Sequence, residues 1–147
     1  MAAPRSTSKT RDGVWSTDDR PDDQAMRSAW KIDRAKALQN GRLAVSVGIL
    51  RDPGEGVRRL HGEGATFAAT FSSPVVSAKQ AQALVGALKT AISEAAADLR
   101  PVSLDLYLAG PAAFAVALGH RWNGLPPTQL HEFLAGERRY VATATLQ

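Results

Sequence analysis

"VSLDLYLAGPAAFAVALGHRWNGLPPTQLHEF", residues 102–133, reads as strand, turn, helix, turn, strand, and that order decides the fold. Val102, Leu104, Leu106 and Leu108 alternate with Ser103, Asp105 and Tyr107, the period of an extended chain. Ala109-Gly110-Pro111 breaks the alternation. Pro111 to Leu118 follows as an Ala-rich helix, with proline in its first turn and Gly119 just past its end. Pro126-Pro127 then turns the chain into a second strand, predicted over Leu130 to Leu134. A strand that reaches the next through a helix pairs with it in parallel, by a right-handed crossover.

The same grammar extends upstream. Leu43, Val45, Val47 and Ile49 alternate with Ala44, Ser46, Gly48 and Leu50. Both sets are largely apolar, as in a central strand covered on both faces. Arg51-Asp52-Pro53-Gly54-Glu55-Gly56 interrupts it, and Gly56 to Leu60 reads as a short helical turn. Ala65 to Phe71 is a further strand, closed by Ser72-Ser73-Pro74. From Ala78 to Leu99 the residues Ala81, Leu84, Val85, Leu88, Ile92, Ala95 and Leu99 keep a period near 3.6. Ser77 with Gln80 forms a capping box ahead of that helix, and Arg100-Pro101 ends it. Downstream, Ala135-Gly136-Glu137 is a turn and Tyr140 to Leu146 a last strand, antiparallel at the sheet edge because the connection is so short. Residues 26–38 read as a short helix anchored by Met26, Trp30, Ile32 and Leu38, and residues 1–25, rich in Ser, Thr, Pro, Asp and Arg, as a poorly ordered tail. The expectation is an α/β domain over residues 26–147: a single Rossmann-like, mostly parallel sheet with flanking helices and an antiparallel C-terminal edge strand.

Composition narrows the function. A chain of 147 residues builds one core, not two full domains. It has no cysteine, so disulfides and thiolate chemistry are excluded. No apolar run approaches a membrane span, and no signal-peptide region opens the sequence, so a cytoplasmic location is expected. The net charge is +4, with basic residues scattered and no cluster denser than Arg58-Arg59 or Arg138-Arg139. That favours a small anion over a long nucleic acid. Asp18, Asp19, Asp22 and Asp23 lack the glycine hinge and closing glutamate of a calcium loop, and no two of His61, His120 and His131 share metal-ligand spacing, so no metal is expected. No motif for a nucleophile, a phosphate-cradling lysine loop or a zinc hydrolase is present, so no catalytic residue and no cofactor are predicted. His131 and Glu132 point to opposite faces of their strand, and Asp105 reads as a structural polar partner rather than an acid catalyst.

What remains is a rim. In open parallel sheets, ligands bind outside the carboxyl ends of the strands. Arg51 to Gly54, Phe71 to Pro74, Ala109 to Pro111 and Ala135 to Glu137 all fall there. Gly110 admits close approach to the backbone. The amides of Ala112 and Ala113 open a helix and would be unpaired donors for an anion, with the Arg51 guanidinium beside them. On the residues alone, an anion cradle and a plain tight connection stay equally open.

The stretch 102–133 also resembles the C-terminal part of the SAVED domain (SMODS-associated and fused to various effectors). The resemblance lies in the apolar strand Leu104 to Leu108, in Ala109-Gly110-Pro111, in Leu118-Gly119 closing an Ala-rich helix, and in Asn123, Pro126-Pro127 and His131-Glu132. His131 stands where an aromatic is common. "LAVSVGILRDPGEGVRRL", residues 43–60, and Tyr140 to Leu146 fit the same pattern, so the likeness covers about residues 30–147. It implies a CARF-like half-domain that senses a cyclic oligonucleotide without a metal, in the CBASS or type III CRISPR systems of anti-phage defence. Carried over by loop position, the expected contacts are Arg51, Asp52, Gly54, Ser72, Ser73, Ala109, Gly110, Pro111 and Ala112. A full SAVED domain has two such halves and usually an effector. The resemblance therefore implies self-association, a separate effector subunit, or a piece of a longer protein. Two other readings stand beside the sensor. One is a ring nuclease in which Ser72, Ser73, Arg51 or Lys79 assists cleavage; the other is a structural or interaction subunit of a defence complex.

Overall fold

The computed structural model describes residues 28–134 and 139–146. The N-terminal tail, Met26 and the Ala135–Glu137 turn lie outside the described residues. The elements are β1 (Lys31–Asp33), β2 (Arg42–Ile49), α1 (Gly54–His61), a 3-10 turn (Glu63–Ala65), β3 (Thr66–Phe71), α2 (Ala78–Leu99), β4 (Ser103–Ala109), α3 (Ala112–His120), β5 (Thr128–Leu134) and β6 (Arg139–Leu146). They make one sheet in the order β1-β3-β2-β4-β5-β6. The four central strands are parallel and both edge strands antiparallel. Among the described residues no helix is long and apolar enough to cross a membrane.

The alternation along β2 and β4 divides the two faces. Leu43, Val45, Val47 and Ile49 join Leu104 and Leu106 in the main core, against Leu84, Leu88 and Ile92 of α2 and Phe114 and Leu118 of α3. The other face is thinner: Val57 of α1 packs on Ala44 and Tyr107. α2 starts as its sequence demands, with the Ser77 hydroxyl accepting from the Gln80 amide at 3.0 Å. The reciprocal arm closes one residue early: Gln80 Oε1 accepts from the amide of Val76 at 2.7 Å. Arg100 ends the helix in the left-handed region and returns its N–H to the Ala96 carbonyl.

Three expectations are corrected. Residues 31–33 are not helical but form β1, pairing Lys31 with Thr70 and Asp33 with Ala68. Three residues carry too little period to announce a strand; the free edge of β3 supplies the partner groups and overrides local propensity. Trp30, just ahead, is buried. Its indole N–H donates to the Leu84 carbonyl at 3.0 Å, and its ring lies 5.9 Å from those of Phe71 and Phe114. The turn after β2 is a full helix from Gly54, wider than Gly56 to Leu60. Pro111 caps α3 from outside in an extended conformation, and the helix runs through Gly119 to His120.

Candidate functional site

The carboxyl ends of β2, β3 and β4 lie side by side, and the loops leaving them form the expected rim. Its shape begins at Gly48. A Cβ there would lie 1.9 Å from the Arg51 carbonyl oxygen and 2.7 Å from Pro53, so only glycine lets the loop fold back over the strand end. Leu50 makes the reversal at a φ of 63° and donates its N–H to the Phe71 carbonyl at 2.8 Å. Asp52 Oδ1 then accepts from the Gly54 amide at 2.8 Å, which starts α1. A Cβ on Gly54 would meet that same oxygen at 2.8 Å. Asp52 and Gly54 therefore build the turn that presents Arg51.

On the β4 side, a Cβ on Gly110 would sit 3.1 Å from Ile49 Cγ1, so its bareness serves packing between strand ends. The Pro111 carbonyl accepts from Phe114 and Ala115 at 3.0 and 3.2 Å, leaving the amides of Ala112 and Ala113 unpaired among the described residues. Two grooves flank the loop. One, of about 480 Å³, runs between Arg51, Pro74, Val75, Gly110 and Pro111. The other, of about 300 Å³, lies between Arg51, Asp52, Thr70, Ser72 and Lys31. Leu50 and Arg51 line both. Neither Arg51 nor Lys31 makes an ion pair among the described residues.

The structure thus brings together Arg51, Asp52, Ser72, Gly110 and Pro111. Ser73, Ala109 and Ala112 sit beside the grooves without lining them. Sequence reasoning missed Leu50 and Lys31. Leu50 passed as one more alternating strand residue, and Lys31 lies on the strand that has no local signature.

A second polar cluster lies on the thin face of the sheet. Arg42 grips Asp105 through Nε at 2.8 Å and Nη2 at 2.6 Å. His131 Nε2 donates to the same carboxylate at 2.9 Å and its ring stacks on Tyr107 at 4.3 Å. The Tyr107 hydroxyl shares a hydrogen bond of 2.5 Å with His61 Nε2. Burial pushes the Asp105 carboxyl up, but hydrogen bonds from Arg42 and His131 outweigh it and hold the group below its usual range. Burial holds His61 below the usual imidazole range, against the pull of Asp105. Asp105 is fully engaged as a structural acceptor. Among the described residues no group of His, Asp and Glu is arranged to hold a metal ion.

The family model for the SMODS-associated and fused to various effectors (SAVED) sensor domain matches residues 5–146. No curated protein matches the chain. Among solved structures, the Acinetobacter baumannii Cap4 SAVED/CARF-domain containing receptor with the cyclic trinucleotide 2'3'3'-cAAA superposes with a TM-score of 0.71 at 22% identity, over 80% of this chain and 27% of that one. The same receptor with 3'3'3'-cAAA gives a TM-score of 0.66 at 23% identity, over 80% and 27%. The Moraxella osloensis Cap4 receptor gives 0.56 at 23%, over 78% and 26%. The likeness is one of fold, and the chain spans about a quarter of the length of these receptors.

Proposed function

The chain belongs to the SAVED sensor-domain family, and on that premise we propose that it binds a cyclic oligonucleotide at the rim formed by the ends of β2, β3 and β4. The observation that carries the proposal is the Arg51 guanidinium, which has no counter-ion among the described residues and lines both grooves, with the free amides of Ala112 and Ala113 nearby on the same rim. A guanidinium is suited to a phosphodiester because its planar fork gives two parallel charge-assisted hydrogen bonds. Neutral backbone donors add to it without a proton to lose. The solved relatives that carry cyclic trinucleotides support the ligand class.

In this reading the protein is a cytoplasmic sensor in anti-phage defence of the CBASS kind. The occupied rim is presented to a second copy of the chain or to a separate effector subunit. Binding without cleavage is the simpler chemistry, because among the described residues the hydroxyls of Ser72 and Ser73 make no hydrogen bond to a base that would activate them. The test is thermal denaturation with a panel of cyclic di-, tri- and tetranucleotides. A ligand at a hundredfold excess over its Kd should add about 2.7 kcal/mol of apparent stability. No shift with any ring at high concentration would overturn the proposal, and loss of intact ligand on incubation would move it towards a ring nuclease.

A further inference from the structure

Leu50 is held at a φ of 63°, a region that L side chains rarely adopt, and its side chain is 59% exposed. The fold asks for the backbone reversal but not for a leucine to make it. The hydrogen bond from its amide to Phe71 needs only backbone, and glycine or asparagine takes that conformation more readily. The consequence of the strain is a ridge: an apolar side chain standing at the boundary of a mostly apolar groove and a polar one, beside the guanidinium they share. The smaller groove has its own cation, Lys31, which the antiparallel pairing of β1 brings opposite Thr70. Backbone conformations kept against local preference concentrate at binding sites.

We infer that the Leu50–Arg51 ridge splits the rim into two phosphate subsites. One phosphodiester occupies the groove at Gly110 and Pro111. A second occupies the groove of Lys31 and Ser72. Arg51 serves both, and Leu50 packs against the base or ribose between them. This rests on the sensor reading and adds a requirement to it: a ligand with a single phosphate uses one groove at a time, so it depends on Lys31 less than the ring does.

Calorimetric titration of the full chain with the tightest-binding ring of the panel and with adenosine monophosphate tests this. Lys31→Gln should weaken the ring about tenfold, the effect of one charge-assisted contact, and the monophosphate by much less. Its affinity for the ring should also fall less steeply with salt than the parent's, as one screened charge pair is removed. Leu50→Gly should weaken the ring about fivefold while melting no lower than the parent, because glycine relieves the strained turn. Parent-like ring binding by both variants would overturn the two subsites and leave the sensor reading intact. An equal loss for ring and monophosphate would reduce Lys31 to general charge and overturn them as well. If no ring binds the parent chain, the sensor reading fails and the subsites fall with it.

Discussion

Gly48 and Gly110 look alike in the sequence, and the structure separates them. At Gly48 the obstacle to a side chain is the Arg51 carbonyl at 1.9 Å, a backbone atom that cannot yield without opening the turn. Gly48→Ala should therefore cost about 3 kcal/mol, read as a lower urea midpoint with unchanged slope. At Gly110 the obstacle is the Ile49 side chain at 3.1 Å, which can shift by a few tenths of an ångström. Gly110→Ala should cost about 1 kcal/mol or less, read in the same denaturation. Ser46 completes the contrast. Its hydroxyl is fully buried, with no hydrogen-bond partner among the described residues. Ser46→Ala should stabilise the protein by about 1 kcal/mol in the same denaturation. None of this was legible in the sequence. Gly48 and Ser46 were two positions in an alternating strand, and the loop that folds onto Gly48 is a three-dimensional fact.

The elements divide by how local their signals are. β2, β4, α2 and α3 were legible because alternation, a 3.6 period and their turn residues all lie within the segment itself. The antiparallel β6 followed from the shortness of its connection. β1 was not legible, since its partner is β3, more than thirty residues away in sequence, and its anchor is Trp30 against α2. Trp30→Ala should cost about 4 kcal/mol and release β1. Amide exchange over residues 31–33 would then rise well above that of β2. The link between α1 and β4 makes a pH prediction. The folded chain holds His61 below its usual 6.5, so the unfolded chain takes that proton first. The stability it contributes is complete above about pH 6.5 and is lost as pH falls through the folded value. Asp105 is likewise held below its usual 3.8, and its contribution persists until stronger acid. Melting temperature should be flat near pH 7 and decline in two steps on acidification. His61→Gln should remove the first step and keep the second; an unchanged first step would place the titration elsewhere.

For the molecule as a whole, the decisive quantity is how much of a ring one rim can enclose. The described grooves lie on a single edge of a single sheet and remain open outward. A cyclic oligonucleotide seated there through two phosphates leaves its far side in water. Tight binding needs that side covered as well, because partly desolvated phosphates lose hydration without gaining partners. A twofold pairing of chains supplies a second rim with no new sequence, and a closed isologous contact stops at the dimer. The ligand would then act as the bridge, so association and binding are thermodynamically linked, each tightening the other. The expectation is that the 15.6 kDa chain sediments at about twice that mass when ring is added, with saturation near one ring per two chains. Lys31→Gln should shift the midpoint of that assembly to higher ligand concentration by the same factor as it weakens binding. Saturation at one ring per chain without a change of mass would show that a single rim suffices and would remove the twofold pairing.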